Sequence, residues 1–142
     1  MKAWSLLLVL LITGCAVSMK ELRSFNPEYV TASPKNPKDI ANCIAYECQN
    51  EDQLYGMHTS MIENNGIYYI TISNVGPLGV DPWNDITVKP NNENGSSIEL
   101  RTIHTMVKIF PNILIKIIKK CASPTKTSQG QAGVSANQRS VH

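Results

Sequence analysis

Long apolar runs are missing from this sequence. The longest, Ala3 to Ile12, is ten residues and is broken by Ser5, whereas a membrane-crossing helix needs roughly 20. Also missing are the short motifs that mark common active sites. There is no His-Glu-x-x-His, no Gly-x-Ser-x-Gly and no phosphate-cradling glycine loop, so no cofactor or metal is expected. Net charge is only +2. That is too little for the clustered basic face that nucleic acid requires, and no nucleic-acid partner is expected. Acids are absent from residue 119 onward, where Lys119, Lys120, Lys126 and Arg139 stand alone. No segment repeats another.

What the sequence does have begins at its N-terminus. Lys2 precedes the apolar run, whose length suits the core of a signal peptide, about 7–15 residues. Export is therefore predicted. The run closes on Ile12-Thr13-Gly14-Cys15, which resembles the lipobox of bacterial lipoproteins: an aliphatic residue, two small ones, then the cysteine that carries lipid. The resemblance implies that residues 1–14 are removed and that Cys15 is lipidated as the first mature residue. Acyl chains would then hold the protein to a membrane, stably where there is more than one. Ala16, where an Asp would be the retention signal, implies the outer membrane facing the periplasm. The competing reading is ordinary cleavage near Ala16-Val17-Ser18, with Cys15 discarded.

The mature chain is long enough for one domain and short for two. Residues 15–33 read as a lipidated N-terminus and tether, in which Leu22, Phe25 and Tyr29 could dock. Residues 34–121 form the expected folded unit. The segment 122–142 is rich in Ser, Gln, Gly and Thr and cannot bury enough apolar surface to offset its ordering entropy, so it is expected to be a disordered tail.

Within the domain, Asn36 can cap a helix, Pro37 suits its first position, and Asp39 falls three residues after the cap. Ile40, Cys43, Ile44 and Cys48 then follow the spacing of one buried stripe, predicting a helix from Pro37 to about Gln49. Met57 to Glu63, the turn Asn64-Asn65-Gly66 and Ile67 to Asn74 read as a hairpin, since Asn-Gly between β-branched runs is a strong turn signal. Tyr68, Ile70 and Ile72 share one face of its second strand. Val75 to Asp85 reads as a loop with two Gly and two Pro. Ile86 to Pro90, a turn at Asn91–Gly95 and a strand from Ser96 follow, with a slip in alternation at Ile103 that suggests a bulge. A last helix begins near Pro111, with Ile113, Leu114, Ile117, Ile118 and Cys121 on one face. The expected fold is α+β, a four-stranded antiparallel sheet with two helices on one face in the order α-β-β-β-β-α. Its other face should be wet.

Three cysteines remain after Cys15. In an oxidising compartment they are expected to pair. Cys43 and Cys48 are five apart, about 140° around a helix, and cannot bridge each other without unwinding it. One of them should pair with Cys121. The domain is also similar to small α+β envelope lipoproteins, through Ala41-Asn42-Cys43-Ile44, Asp85-Ile86-Thr87-Val88, Gly95-Ser96 and the terminal Cys121. That resemblance covers about two thirds of the chain and implies no activity. It selects Cys43 as the partner of Cys121 and leaves Cys48 free. A metal site of Cys43, Cys48, Cys121 and His58 is the alternative, although its spacing matches no compact cysteine unit.

His58, His104 and His142 are the only histidines. His58 and His104 fall in expected strands, where surface histidines are common. Trp83 sits in the long Val75–Asp85 segment, either as an exposed anchor for a partner or folded back to close one end of the core. The sequence thus points to a lipid-anchored envelope module, non-enzymatic, binding a protein or cell-wall partner. The alternative is a small envelope hydrolase or enzyme inhibitor using the region of His58 and His104.

Overall fold

A computed structural model describes residues 18–77, 79–103 and 109–124. A short helix α1 (Met19–Leu22) is followed by β1 (Tyr29–Ser33) and the helix α2 (Pro37–Asn50). A 3-10 turn (Asp52–Leu54) leads to β2 (Met57–Asn64), β3 (Ile67–Gly76), β4 (Gly79–Pro90), β5 (Ser96–Thr102) and the helix α3 (Ile109–Ala122). The fold is α+β, and its sheet is antiparallel throughout in the order β1-β5-β4-β3-β2.

Local chemistry accounts for the boundaries. The Asn36 side chain accepts from the Lys38 N–H at 2.8 Å, and Pro37 occupies the first turn of α2 where its missing N–H costs nothing. Between β2 and β3, Asn65 and Gly66 take φ of 52° and 75°, the two positive values that a tight hairpin turn demands. The β4–β5 turn is built on Asn91, whose Oδ1 accepts from the N–H groups of Glu93 and Gly95.

One face of the sheet carries the core. Cross-strand rows Ile70–Ile86–Leu100 and Tyr68–Val88–Ile98 lie under the buried stripes of α2 (Ile40, Ala41, Ile44, Ala45, Cys48) and α3 (Ile113, Leu114, Ile117, Ile118, Cys121). The two long helices pack on each other and on this face.

Four expectations need correction. The sheet has five strands, not four, because Tyr29–Ser33 pairs antiparallel with β5 from Tyr29↔Leu100 to Ser33↔Ser96. This strand is short and at an edge, so backbone pairing rather than an apolar pattern defines it, and the residues 18–33 read as tether are built into the domain. Val75–Asp85 is not a loop. It continues β3 and β4 as a hairpin, with Val75↔Val80 and Gly76↔Gly79 paired. Pro82 lies beyond the last β4–β5 pair, Asn84↔Thr102, and beside the bulge, positions where proline in a sheet is tolerated. The bulge falls not at Ile103 but between the pairs Ile72↔Asn84 and Ser73↔Pro82, leaving Trp83 the extra residue.

The fourth correction concerns the other sheet face. Alternation places Tyr69, Thr71 and Ser73 of β3, Asp85, Thr87 and Lys89 of β4, and Glu99 and Arg101 of β5 on it. Its centre is not wet. Thr71, Ser73, Asp85 and Thr87 are all buried, as is Leu22 of α1, which packs with its helix over β4.

Candidate functional site

The buried polar groups of this second face meet at Asp85, whose side chain is fully enclosed. Arg23, just past α1, reaches it through Nε and Nη2, at 3.3 and 3.2 Å from Oδ1. Thr71 Oγ1 donates to Oδ1 at 3.1 Å, and Thr87 Oγ1 donates to Oδ2 at 3.3 Å. The Arg23 guanidinium also stacks 4.0 Å from the centre of the Tyr69 ring. A buried carboxylate is costly unless paired and hydrogen-bonded. Here both oxygens are engaged.

The network continues along β5. Arg101 donates from Nη1 to Thr87 Oγ1 at 3.3 Å and from Nη2 to Glu99 Oε2 at 2.6 Å, and Lys89 pairs with the other Glu99 oxygen. Burial pushes the Glu99 carboxyl up, but hydrogen bonds and charge from Lys89 and Arg101 outweigh it and hold its pKa below the usual value. Arg101 Nε donates to the Phe25 carbonyl at 3.0 Å. The N-terminal segment is thereby fixed twice to the face, by the Arg23 side chain and by the Phe25 backbone.

On the helix side, Cys43 and Cys121 are joined by a disulfide with Cα atoms 5.8 Å apart. Cys48 is free and buried, and burial, followed by the charges of Glu47 and Glu51, pushes its thiol up to about 12. The metal alternative loses two of its thiols to the bridge. Among the described residues, no group of His, Cys, Asp and Glu is arranged to hold a metal ion.

Trp83 lies edge-on to Phe110 with ring centres 5.7 Å apart, and its Nε1 donates to Asp81 Oδ2 at 3.0 Å. The indole is half-buried against Phe110 at the start of α3. His58 is exposed on the edge strand β2, opposite Ser73. Cys15, His104 and His142 lie outside the described residues, as do residues 125–142 of the expected tail. Among the described residues no helix is long and apolar enough to cross a membrane.

The Arg23–Asp85–Arg101–Glu99 network escaped sequence reading. Half of its signal was present: Asp85, Thr87 and Lys89 alternate on one strand, and Glu99 and Arg101 on the next. Arg23 carried none, because nothing local ties a tether residue to a strand so far along the chain. No family model and no curated protein matches this chain.

Proposed function

We propose that the protein is a lipid-anchored cell-envelope lipoprotein, processed at Cys15, that serves as a non-enzymatic binding or accessory module for a protein or cell-wall partner. The observation that carries this reading is the Cys43–Cys121 bridge, since such bonds persist in oxidising compartments such as the periplasm. It agrees in chemistry with the short apolar leader ending on Ile12-Thr13-Gly14-Cys15. Within the same reading, Ala16 in place of a retention-signal Asp supports the outer membrane. The non-enzymatic part is supported by how the charges of the sheet are used. Asp85 and Glu99 are engaged by Arg23, Arg101 and Lys89, and His58 stands on the opposite edge strand.

Replacing Cys15 with Ser tests the anchor. The wild-type mature protein should carry the mass of acyl chains on residue 15 and fractionate with membranes. The Cys15→Ser protein should be soluble in the envelope or retained unprocessed. A Ser variant that remains in the membrane fraction with unchanged mass refutes the reading.

A further inference from the structure

We propose that the second face of the sheet, with the N-terminal segment docked on it, is the surface that rests on the lipid bilayer. The inference rests on lipidation at Cys15 and adds an orientation to it. Only Ala16 and Val17 separate that residue from Ser18. Three extended residues span about 10 Å at most. From Ser18 the chain runs as α1 over β4, and it is held there by buried Leu22, by Arg23 on Asp85 and by the Phe25 carbonyl on Arg101. A lipid on Cys15 therefore cannot move far from this face. A long tether would have left the domain free to turn.

The chemistry of the face fits that position. Among the described residues eight large apolar side chains are exposed, and five of them, Phe25, Val30, Ile62, Val75 and Val80, belong to this side. One cross-strand row, Val30–Glu99–Thr87–Tyr69–Ile62, crosses the whole sheet and ends in an exposed apolar residue at each edge. Val75 and Val80, paired with each other, follow the same face to the tip of the β3–β4 hairpin. The docked segment is thus bordered by apolar side chains on three sides.

The charges that β4 and β5 place on this face are paired with one another or with Arg23, so bringing it to an interface strands none of these. His58 of β2 and Lys20, Glu21 and Glu28 of the docked segment are exposed, where headgroups and water can solvate them. The opposite layer differs. Lys116, Lys119 and Lys120 of α3 point to water there. Interfacial side chains commonly sit about 5–10 Å into the headgroup and acyl boundary, a depth suited to isolated Val and Ile residues rather than to a spanning element.

The test uses the processed, lipid-bearing protein in vesicles of phosphatidylethanolamine and phosphatidylglycerol. Single nitroxides are placed on Ile62→Cys and Val80→Cys, with Tyr46→Cys on the exposed side of α2 as the control. All three positions are exposed, so the fold tolerates them, and buried Cys48 does not compete for the label. Relaxation by a water-soluble nickel chelate should fall several-fold at positions 62 and 80 on vesicle binding, relaxation by oxygen should rise, and position 46 should not change. Labels at 62 and 80 that stay as accessible as the one at 46, on protein carrying the acyl mass and floating with vesicles, overturn the orientation and leave the lipoprotein reading intact. Mature protein without the acyl mass overturns both.

Discussion

Arg23 is the residue whose loss should be felt most for its position, in a segment that sequence alone reads as tether. Truncating it to Ala leaves Asp85 enclosed, with its side chain fully buried and only Thr71 and Thr87 donating to it. Removing one partner of a buried ion pair costs about 3–5 kcal/mol. Arg23 itself keeps 32 % of its side chain exposed, so water can enter in its place, and the two threonine bonds survive. We expect Arg23→Ala to cost about 2–3 kcal/mol, a large share of the stability of a small domain. Urea unfolding of the oxidised protein should show the midpoint lowered by about 1–2 M. Arg23→Lys should recover only part of the loss, because an ammonium neither forks to Asp85 nor stacks flat on Tyr69.

A second substitution isolates the cause. Asp85→Asn removes the charge that needs a cation, and Arg23, being partly exposed, can then turn to water. The double variant should cost less than the sum of the two singles by about 1–2 kcal/mol. An Arg23→Ala protein within about 0.5 kcal/mol of wild type, or a cycle with no coupling, refutes the view that this pair pins the segment.

Gly95 packs so closely that an added Cβ would stand 2.2 Å from the Ser33 carbonyl oxygen, so Gly95→Ala should cost about 1–3 kcal/mol and lower Tm by several degrees; an unchanged Tm refutes the close approach. With its pKa pushed up to about 12, the Cys48 thiol should resist thiol reagents in native buffer at about pH 8, and denatured, unreduced mature protein should titrate one thiol rather than three. Breaking the bridge, which joins residues 78 apart, should cost up to about 4–5 kcal/mol through the freed chain entropy. Glu99 has a folded-state pKa below its unfolded value, so its contribution is complete above that unfolded value, about 4.3, and fades as pH falls through the folded one. Urea midpoints of Glu99→Gln measured from about pH 6 to pH 3 should fall less steeply than those of wild type. Parallel curves would show that the Lys89–Glu99–Arg101 cluster does not act in that way.

The parts of the fold legible in the sequence are those governed by short-range rules. Asn36-Pro37 announces α2, Asn65-Gly66 announces the β2–β3 turn, and the 3.6-residue stripes of α2 and α3 name the residues that meet the sheet. β1 was hidden because Tyr29, Val30 and Ala32 make too weak a pattern to separate from a linker, and its partner lies beyond four other elements. The β3–β4 hairpin was hidden for a different reason. Gly76, Pro77, Gly79 and Pro82 are read as breakers, yet Gly79 takes φ of 122° at the tip, and Pro82 sits where one flank of β4 has no neighbour. Both failures have one source: strand pairing is decided by what lies across the sheet, and local propensity is blind to it.

The docked segment has a consequence for how far the protein can reach. A lipoprotein on a flexible linker of some fifteen residues could hold its domain about 2 nm from the bilayer and let it turn freely. Here the chain from Ser18 onward is committed to the sheet, so under the proposed anchoring the domain stays at the membrane surface and a partner must come to it. With the second sheet face turned to lipid, the layer that meets such a partner is formed by α2 and α3. That layer presents Tyr46, 66 % exposed, on α2, and on α3 the exposed Lys116, Lys119 over the Tyr29 ring, and Lys120 paired with Glu47. The exposed lysines of α3, a helix without an acidic residue, favour an acidic partner surface, and association through it should weaken as salt is raised. The disulfide lies between these same two helices, so its reduction would loosen that layer while leaving the sheet and its docked segment paired. Binding lost on reduction while the labels at positions 62 and 80 stay buried would separate the two faces by function. Loss of both together would mean that the layers are one cooperative unit.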